Sequence, residues 1–143
     1  MALKRYRKSL KKNGLKITPK REGIIGFFLK KGYYATPEEV WKNLKTSFKK
    51  IGLPTVYRNL KQLSKIGILT RLEGKEDRFY YGLCQAEKSE EHHHHIVCLK
   101  CQKVSEVEDC RFEDSLEKIE VKTGFKVVNH SLQLQGLCQQ CQK

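Results

Sequence analysis

Apolar residues recur at helical spacing along the first part of the chain. The pair Thr18-Pro19 predicts the start of one helix and Gly32 its end, because a hydroxyl residue often caps a helix start and glycine often follows a helix end. Between them, the apolar residues of one face are Ile24, Ile25, Phe28 and Leu29. A second helix is predicted to begin at Thr36, which can form a capping box with Glu39.

A third helix and a hairpin are predicted to follow. The helix runs from about Pro54 to Gly67, and its apolar stripe consists of Val56, Leu60 and Leu63. Two alternating segments, 68–72 and 78–81, predict strands joined by a polar turn. Three helices followed by a β-hairpin are the order of a winged helix-turn-helix, in which the third helix enters the major groove of DNA.

The face of the third helix opposite this stripe is polar and cationic. Its residues are Thr55, Arg58, Asn59, Lys61, Gln62 and Lys65. Such side chains can donate hydrogen bonds to phosphates and base edges, so double-stranded DNA is the expected partner. Tyr57 lies beside the stripe and can either stack on DNA or pack against the protein.

The positive charge of the chain lies entirely in its first half. Residues 1–70 carry 18 lysine and arginine residues against 3 acidic ones, a net charge of +15, whereas residues 71–143 carry 11 against 13, or −2. A polyanion such as DNA suits the first half, because each neutralised phosphate releases counterions. The alternative is a solvated basic surface that keeps the protein soluble.

The second half predicts a strand, a cysteine knuckle, a strand, a helix and a strand. The apolar residues behind this prediction are Phe112, Leu116 and Ile119 in the helix and Leu132 and Leu134 in the last strand. The half is too short to bury much surface, so a second copy is expected to complete it in a homodimer. We therefore expect an α+β protein with a winged-helix DNA-binding domain at 1–81, a polar hinge at 82–91 and an α/β metal-binding dimerisation domain at 92–143.

Four of the six cysteines form two Cys-x-x-Cys pairs, and they are Cys98, Cys101, Cys138 and Cys141. Each pair can supply two thiolates from one tight knuckle, and two knuckles complete a tetrahedral sulfur site for structural zinc. The alternatives are unrelated thiols or a redox pair. A small domain with few core residues favours zinc.

A run of four histidines, 92–95, precedes the first knuckle. If the run is a strand, alternate histidines point to opposite faces, so one segment can serve two metal sites. A polar loop is the alternative interpretation. Further residues of ligand type on neighbouring segments are Cys84, Glu106, Glu113 and His130.

Several function classes are disfavoured by the composition. No apolar run approaches the roughly 20 residues that span a bilayer, and the basic start lacks the pattern of a secretory signal, so a cytoplasmic protein without membrane contact is expected. A zinc-dependent hydrolase would need an open metal position and a general base, yet no His-Glu-x-x-His or deaminase motif is present. A hydrolase would also leave the basic first half unexplained. A zinc-storage or adaptor protein, the third alternative, predicts no sequence-specific DNA binding.

The chain resembles the ferric uptake regulator family of bacterial metalloregulators. The matching segments are 14–21, 54–60, 92–101 and 129–131 with the closing cysteine pair. The resemblance implies a homodimeric repressor of metal-uptake or stress genes whose paired cysteines hold structural zinc. It also implies that Tyr57 and Arg58 touch DNA and that Lys16 lies near the minor groove, and we add Arg21, at the end of the first matching segment, to the DNA-binding residues.

In the iron and peroxide branches of the family, the hinge sensing site contains two histidines, an acidic residue, a further histidine and a further acid. His93, His95 and Glu106 match the first three, but the other two positions appear here as Tyr34 and Tyr80. A protonated tyrosine hydroxyl is a poor ligand at neutral pH. This departure disfavours an iron- or peroxide-responsive role, which stays the alternative.

Cys84 lies where the zinc uptake branch of the family carries a cysteine ligand. A thiolate with two imidazoles favours Zn²⁺ over Fe²⁺ or Mn²⁺, so the preferred hinge site is Cys84, His93, His95 and Glu106, with an unligated Cys84 as the alternative. Other acidic residues that could complete the site instead are Glu73, Glu76 and Asp77. A second regulatory site is matched by His92, His94, Glu113 and His130. Cys110 has no assigned ligand role.

Overall fold

A computed structural model describes residues 2–32, 34–83, 94–107 and 112–143. The chain divides into two compact units, Met1–Gln85 and Ala86–Lys143. The elements of the first unit are α1 (Ala2–Lys12), α2 (Pro19–Lys31), α3 (Pro37–Leu44), α4 (Leu53–Lys65), β1 (Leu69–Glu73), a short 3-10 turn (Lys75–Asp77) and β2 (Phe79–Leu83). Strand β2 extends two residues past the boundary predicted at residue 81, because Gly82 and Leu83 pair with β1. Residues 84–91 of the predicted hinge lie outside the described residues.

Helix α1 was not among the sequence-based predictions, which treated the basic start of the chain as charge. The helix is amphipathic: Leu10 is fully buried, and Leu3 and Tyr6 pack against the same core. Arg7 forms an ion pair with Glu22 and so connects α1 to α2. Three widely spaced apolar residues among six cations therefore suffice to attach this helix.

The predicted helix ends of α2 and α3 are confirmed. The Thr18 hydroxyl accepts a hydrogen bond from the Arg21 amide at 3.3 Å, and Gly32 ends α2 at a φ of 66°, in the left-handed region that glycine tolerates. At α3, the Thr36 hydroxyl accepts from the Glu39 amide at 3.2 Å, while the Glu39 carboxylate accepts from the Thr36 amide at 2.9 Å. Both sequence signals therefore correspond to formed caps.

The core of the first unit lies between these helices and the hairpin. Its fully buried residues include Leu10, Ile24, Ile25, Ala35, Val40, Val56, Leu60 and Leu63. Helix α4 buries the predicted stripe of Val56, Leu60 and Leu63, which turns its remaining face outward. The hairpin packs against α4 through Ile68 and Leu69. The three-helix and hairpin order predicted for a winged helix is thus present, with α1 added before it.

The hairpin of β1 and β2 is antiparallel, with Leu69 opposite Leu83 and Glu73 opposite Phe79. Ala35, which precedes α3, exchanges two backbone hydrogen bonds with Tyr81 at 2.8 and 2.9 Å. This bridge connects the hairpin, which is the wing of the winged helix, to the segment between α2 and α3. The wing is therefore hydrogen-bonded to the helical part of the unit.

The second unit consists of β3 (His94–Cys98), β4 (Val104–Val107), α5 (Glu113–Thr123) and β5 (Gln133–Gly136). The strand order is β4-β3-β5, in which β3 pairs antiparallel with β4 and parallel with β5. The predicted sequence of strand, knuckle, strand, helix and strand is confirmed.

The second unit buries little apolar surface within one chain. Every residue of α5 is described, and none of them is buried. The large exposed apolar side chains of the second unit are Phe112, Ile119, Val121, Phe125, Val128, Leu134 and Leu137. The predicted helix face of Phe112, Leu116 and Ile119 is therefore largely uncovered within a single chain. In the described part of the chain, no helix is both long and apolar enough to cross a membrane.

Candidate metal centre and nucleic-acid interface

The two Cys-x-x-Cys pairs come together in the second unit. Their four sulfur atoms, from Cys98, Cys101, Cys138 and Cys141, all lie within 4.8 Å of one another. The first pair begins at Cys98, the last residue of β3, and the second pair follows β5, and the two strands are neighbours in the sheet. Parallel strands end at the same edge, so the sheet topology explains why Cys101 and Cys138, which are 37 positions apart, meet.

Backbone hydrogen bonds shape both knuckles. The Gln102 amide donates to the Cys98 carbonyl at 2.9 Å, and the Cys141 amide donates to the Cys138 carbonyl at 2.9 Å. The Leu99 amide donates to the Gly136 carbonyl at 2.8 Å, which joins the first knuckle to β5. The position of each thiol is thus fixed by main-chain contacts.

The same amides tune the thiols. The Cys138 amide donates to the Cys98 sulfur at 3.4 Å, and this bond, with others from its own knuckle, lowers the pKa of Cys98 to about 6. A hydrogen bond from the Cys141 amide lowers the pKa of Cys138. The Cys141 thiol in turn hydrogen-bonds to the Cys138 sulfur, and this bond raises the pKa of Cys141 to about 12. Several thiolates this close need a cation among them to be ionised together.

The cluster fits a structural zinc ion. Zinc–sulfur bonds of about 2.3 Å at tetrahedral angles place sulfur atoms about 3.8 Å apart. The Cys101 and Cys138 sulfurs are separated by 3.7 Å. Four cysteines leave no ligand position for water, so the chemistry of this donor set is structural and not catalytic.

The histidine run is only partly described. His94 and His95 are consecutive in β3, both are buried, and consecutive strand residues face opposite sides of a sheet. His95 lies directly opposite Glu106 on β4, which places the two side chains on one face. Cys84 and His93, the other residues of the predicted hinge site, lie outside the described residues, so this site stays a prediction.

The opposite face brings together residues of the second predicted regulatory site. The ring centroids of His94 and His130 are 5.2 Å apart. The His130 ring also stacks 6.2 Å from Phe112, the residue before Glu113. His92 lies outside the described residues, so this site too stays a prediction. Among the described residues, the sulfur cluster is the group of three or more potential ligands within metal-binding distance.

Tyr34 and Tyr80 occupy packing positions in the first unit. A β-carbon added to Gly82 would come within 2.8 Å of the Tyr34 ring, and one added to Gly74 would come within 2.2 Å of the Tyr80 ring. Each aromatic ring therefore lies directly over a glycine of the hairpin. These contacts give both tyrosines a structural role.

The outward face of α4 carries Arg58, Lys61 and Lys65, all exposed as expected. Thr55 is half-buried, and Tyr57 is exposed and donates from its hydroxyl to the Glu38 carboxylate at 2.7 Å, a bond that raises the pKa of Tyr57. This bond to Glu38 carried no sequence signal.

Asn59 differs from the expectation that it belongs to this exposed face. It is only 8% exposed, and its amide nitrogen donates to the Thr55 carbonyl one turn earlier at 2.8 Å. Asn59 lies one turn from the buried residues Val56 and Leu63, so it belongs to the buried side of α4. Asn59 is thus buried rather than exposed in this structure, and its contact with DNA stays a prediction.

Lys16 and Arg21 flank the start of α2. Lys16 is exposed, as its predicted role near a DNA groove requires. Arg21 is half-buried, and its guanidinium donates to the Lys16 carbonyl and to the Gln62 side chain, both at 2.7 Å. Gln62 was predicted to face DNA, but its carbonyl oxygen accepts this bond from another helix.

A winged helix-turn-helix together with a four-sulfur metal centre defines a metal-binding transcription regulator. A model of the ferric uptake regulator family matches residues 12–135. The chain belongs to this family, so it is a metal-responsive DNA-binding regulator and not an enzyme.

Individual relatives agree over almost the full length. The chain is 31% identical over 141 residues to the ferric uptake regulation protein of Helicobacter pylori (strain ATCC 700392 / 26695), covering 99% of this chain and 91% of that protein. It is 29% identical over 136 residues to the peroxide-responsive repressor PerR of Staphylococcus saprophyticus, covering 94% of this chain and 87% of that protein.

Solved structures share the fold. The Helicobacter pylori ferric uptake regulator, described as having three functional metal-binding sites, superposes with a TM-score of 0.69 at 31% identity and covers 99% of this chain and 91% of its own. A zinc uptake regulator complexed with zinc and DNA gives a TM-score of 0.78 at 21% identity and covers 98% and 92%. At 21% identity, the similarity to the zinc uptake regulator shows a shared fold alone.

Proposed function

We propose that this protein is a cytoplasmic, zinc-responsive repressor that binds double-stranded operator DNA as a homodimer. The observation that carries the choice of zinc is the packing of Tyr34 and Tyr80 on hairpin glycines. Tyr34 and Tyr80 occupy the positions where the iron and peroxide branches of the family carry metal ligands. A hinge metal site without ligands at these two positions needs a different donor atom. The sulfur of Cys84 is such a donor, and zinc prefers sulfur.

The regulatory metal would be held by Cys84, His93, His95 and Glu106. The shared face of His95 and Glu106 supports the last two residues of this set. A second regulatory ion would be held by His92, His94, Glu113 and His130, and the short distance between the His94 and His130 rings supports it. The sulfur cluster would hold a separate structural zinc ion.

The charge of the first unit supports DNA binding. The three acidic residues of 1–70 are all engaged within the fold: Glu22 with Arg7, Glu38 with Tyr57, and Glu39 with the Thr36 amide. The cations of α4 face outward, where they can neutralise phosphates. Arg58, Lys61 and the hydroxyl of Tyr57 are the side chains proposed to reach DNA from this helix.

The exposed apolar surface of the second unit supports a homodimer. Val121, Phe125 and Val128 are each at least 76% exposed in the single chain. Apolar side chains clustered in one small unit mark an interaction surface. A dimer would place two α4 helices on one duplex, and regulatory metal would stabilise their spacing, so that metal and DNA each tighten the binding of the other.

Operator binding as a function of zinc tests the proposal. Duplexes are first enriched from a random-sequence library with the zinc-loaded protein, and their affinity is then measured with free Zn²⁺ buffered at increasing levels. We expect affinity to rise with zinc while the structural ion stays bound. Equal affinity at all zinc levels, or no enriched sequence, would contradict the proposal.

Cys84→Ser tests the hinge ligand, and Cys110→Ser is the matched control. The first substitution is expected to abolish the zinc dependence of operator binding with the structural zinc retained, whereas the second leaves the dependence unchanged. An unaltered response in Cys84→Ser would show that this thiol takes no part in sensing.

Iron is the second candidate, and the identity to a ferric uptake regulation protein favours it. Anaerobic Fe²⁺ titration of the same operator, in competition with Zn²⁺, separates the two metals. Stronger activation by Fe²⁺ at matched free concentrations would replace zinc by iron in the proposal.

A further inference from the structure

Arg21 connects three segments of the first unit through one side chain. It lies in the first turn of α2, and its two terminal nitrogens donate to the Lys16 carbonyl and to the Gln62 side-chain oxygen, each at 2.7 Å. Its remaining nitrogen, Nε, is buried. The guanidinium therefore joins the loop before α2 to the middle of α4.

The two segments that Arg21 joins are the ones proposed to enter separate grooves of DNA. Lys16 lies on the loop, and Lys61 on α4 is the neighbour of Gln62. A planar guanidinium donates in fixed directions, so bonds to two partners fix the distance between them. Leu15 and Ile17 of the same loop also pack against the core to which α4 contributes.

We propose that Arg21 is a positioning residue, which holds the Lys16 loop in register with α4 and does not itself contact DNA. The inference rests on the proposed function, because it takes α4 and Lys16 as the DNA-binding elements. It departs from the expectation that Arg21 contacts DNA: each terminal nitrogen gives one of its donors to a protein oxygen, and Nε is buried.

A positioning residue and a phosphate contact leave different signatures in DNA binding. Removing a phosphate contact lowers the slope of log affinity against log salt by about 0.9 and weakens binding to all sequences alike. Removing a positioning residue leaves the number of neutralised phosphates unchanged. It lowers affinity for the enriched operator while affinity for random DNA is preserved.

The experiment compares Arg21→Lys, Gln62→Leu and their double variant in the full-length zinc-loaded protein. Arg21→Lys keeps the charge and loses the two-directional fork. We expect each single variant to lose about tenfold in operator affinity, as for hydrogen bonds to a charged group, with unchanged salt slope and unchanged affinity for random duplexes. Because both substitutions break the same link, the double variant should be no weaker than either single one.

Lys61→Gln is the matched control, because it removes an exposed cation next to Gln62 and should lower the salt slope by about 0.9 on every duplex. Helical content and zinc content confirm that each variant is folded. Equal losses on operator and random DNA in Arg21→Lys, or additive losses in the double variant, would overturn the inference alone. A wild-type chain that prefers no DNA sequence would instead overturn the proposed function and, with it, the role of Arg21.

Discussion

The two units of this chain are stabilised in different ways. Of the eighteen buried apolar residues described, sixteen lie in the first unit, and the second contributes only Val97 and Cys98. The second unit compensates with four clustered sulfurs that fit a metal ion. A short unit with few core residues needs bonds of another kind, and those proposed here are to metal and to a second copy.

The units also differ in charge and in what their surfaces offer. The first unit covers its apolar residues and presents cations, whereas the second is nearly neutral and leaves several large apolar side chains uncovered. A cationic surface suits nucleic acid, and an apolar one suits protein. Four substitutions or treatments can break or sharpen this contrast.

Loss of the sulfur cluster should have the largest effect, and it should be confined to the second unit. Cys138→Ser removes one of four ligands, and structural zinc contributes about 10–16 kcal/mol to folding in small zinc domains. We expect the amides of β3, β4 and β5 to lose protection from hydrogen exchange while those of α2 and α4 keep it.

The control for this experiment is Cys110→Ser, which removes a cysteine that belongs to neither Cys-x-x-Cys pair. Zinc content should fall in Cys138→Ser and stay constant in the control. Retained protection in β3 after removal of the metal would show that the second unit folds without it, and the contrast between the units would fail.

The core of the first unit should respond to the loss of apolar volume instead. Leu60 of α4 is fully buried, and Leu60→Ala should lower the free energy of unfolding by about 2–5 kcal/mol. Leu29→Ala is the matched control, because Leu29 is 38% exposed on α2. Chemical denaturation followed by far-UV circular dichroism measures both. Similar losses for the two variants would contradict the assigned core.

Much of this architecture was predictable from local sequence signals. The caps at Thr18 and Thr36, the stripe of α4 and the meeting of the cysteine pairs each depend on a few residues at fixed spacing. Such signals predict the structure correctly where the local preference of the residues agrees with the fold as a whole.

What the sequence could not provide was the environment of side chains set by distant segments. Asn59 was predicted to be exposed from helical periodicity, yet the packing around α4 covers it. The bonds of Arg21 to Gln62, 41 positions away, and of Tyr57 to Glu38 arise from tertiary packing, which no spacing rule reports. Helix α1 was missed because its few apolar residues are outnumbered by lysines and arginines.

A charge introduced on the apolar surface of the second unit should weaken self-association. Phe125 is 76% exposed, and Phe125→Glu is expected to raise the dissociation constant of the dimer about tenfold or more, since a charged group would be buried against the partner. Sedimentation equilibrium measures this constant. Leu29→Glu, a similar change on α2 of the first unit, should leave it unchanged, and an equal effect of both would argue against an interface confined to the second unit.

The smallest predicted effect concerns the helix cap at the start of α3, because this cap makes only a small addition to the stability that the buried core provides. Thr36→Ala removes the hydroxyl that accepts from the Glu39 amide, and loss of such a cap costs about 1 kcal/mol. Thr46→Ala is the control: its hydroxyl also makes a local bond, to the Asn43 carbonyl at 2.7 Å, but it lies beyond the end of the helix. Because Ala35, the neighbour of Thr36, carries the backbone bridge to Tyr81 of β2, partial unfolding of α3 should loosen β2 as well. Hydrogen exchange at the Tyr81 amide should therefore accelerate in Thr36→Ala and not in Thr46→Ala, and identical exchange in the two variants would show that the cap and the wing are independent.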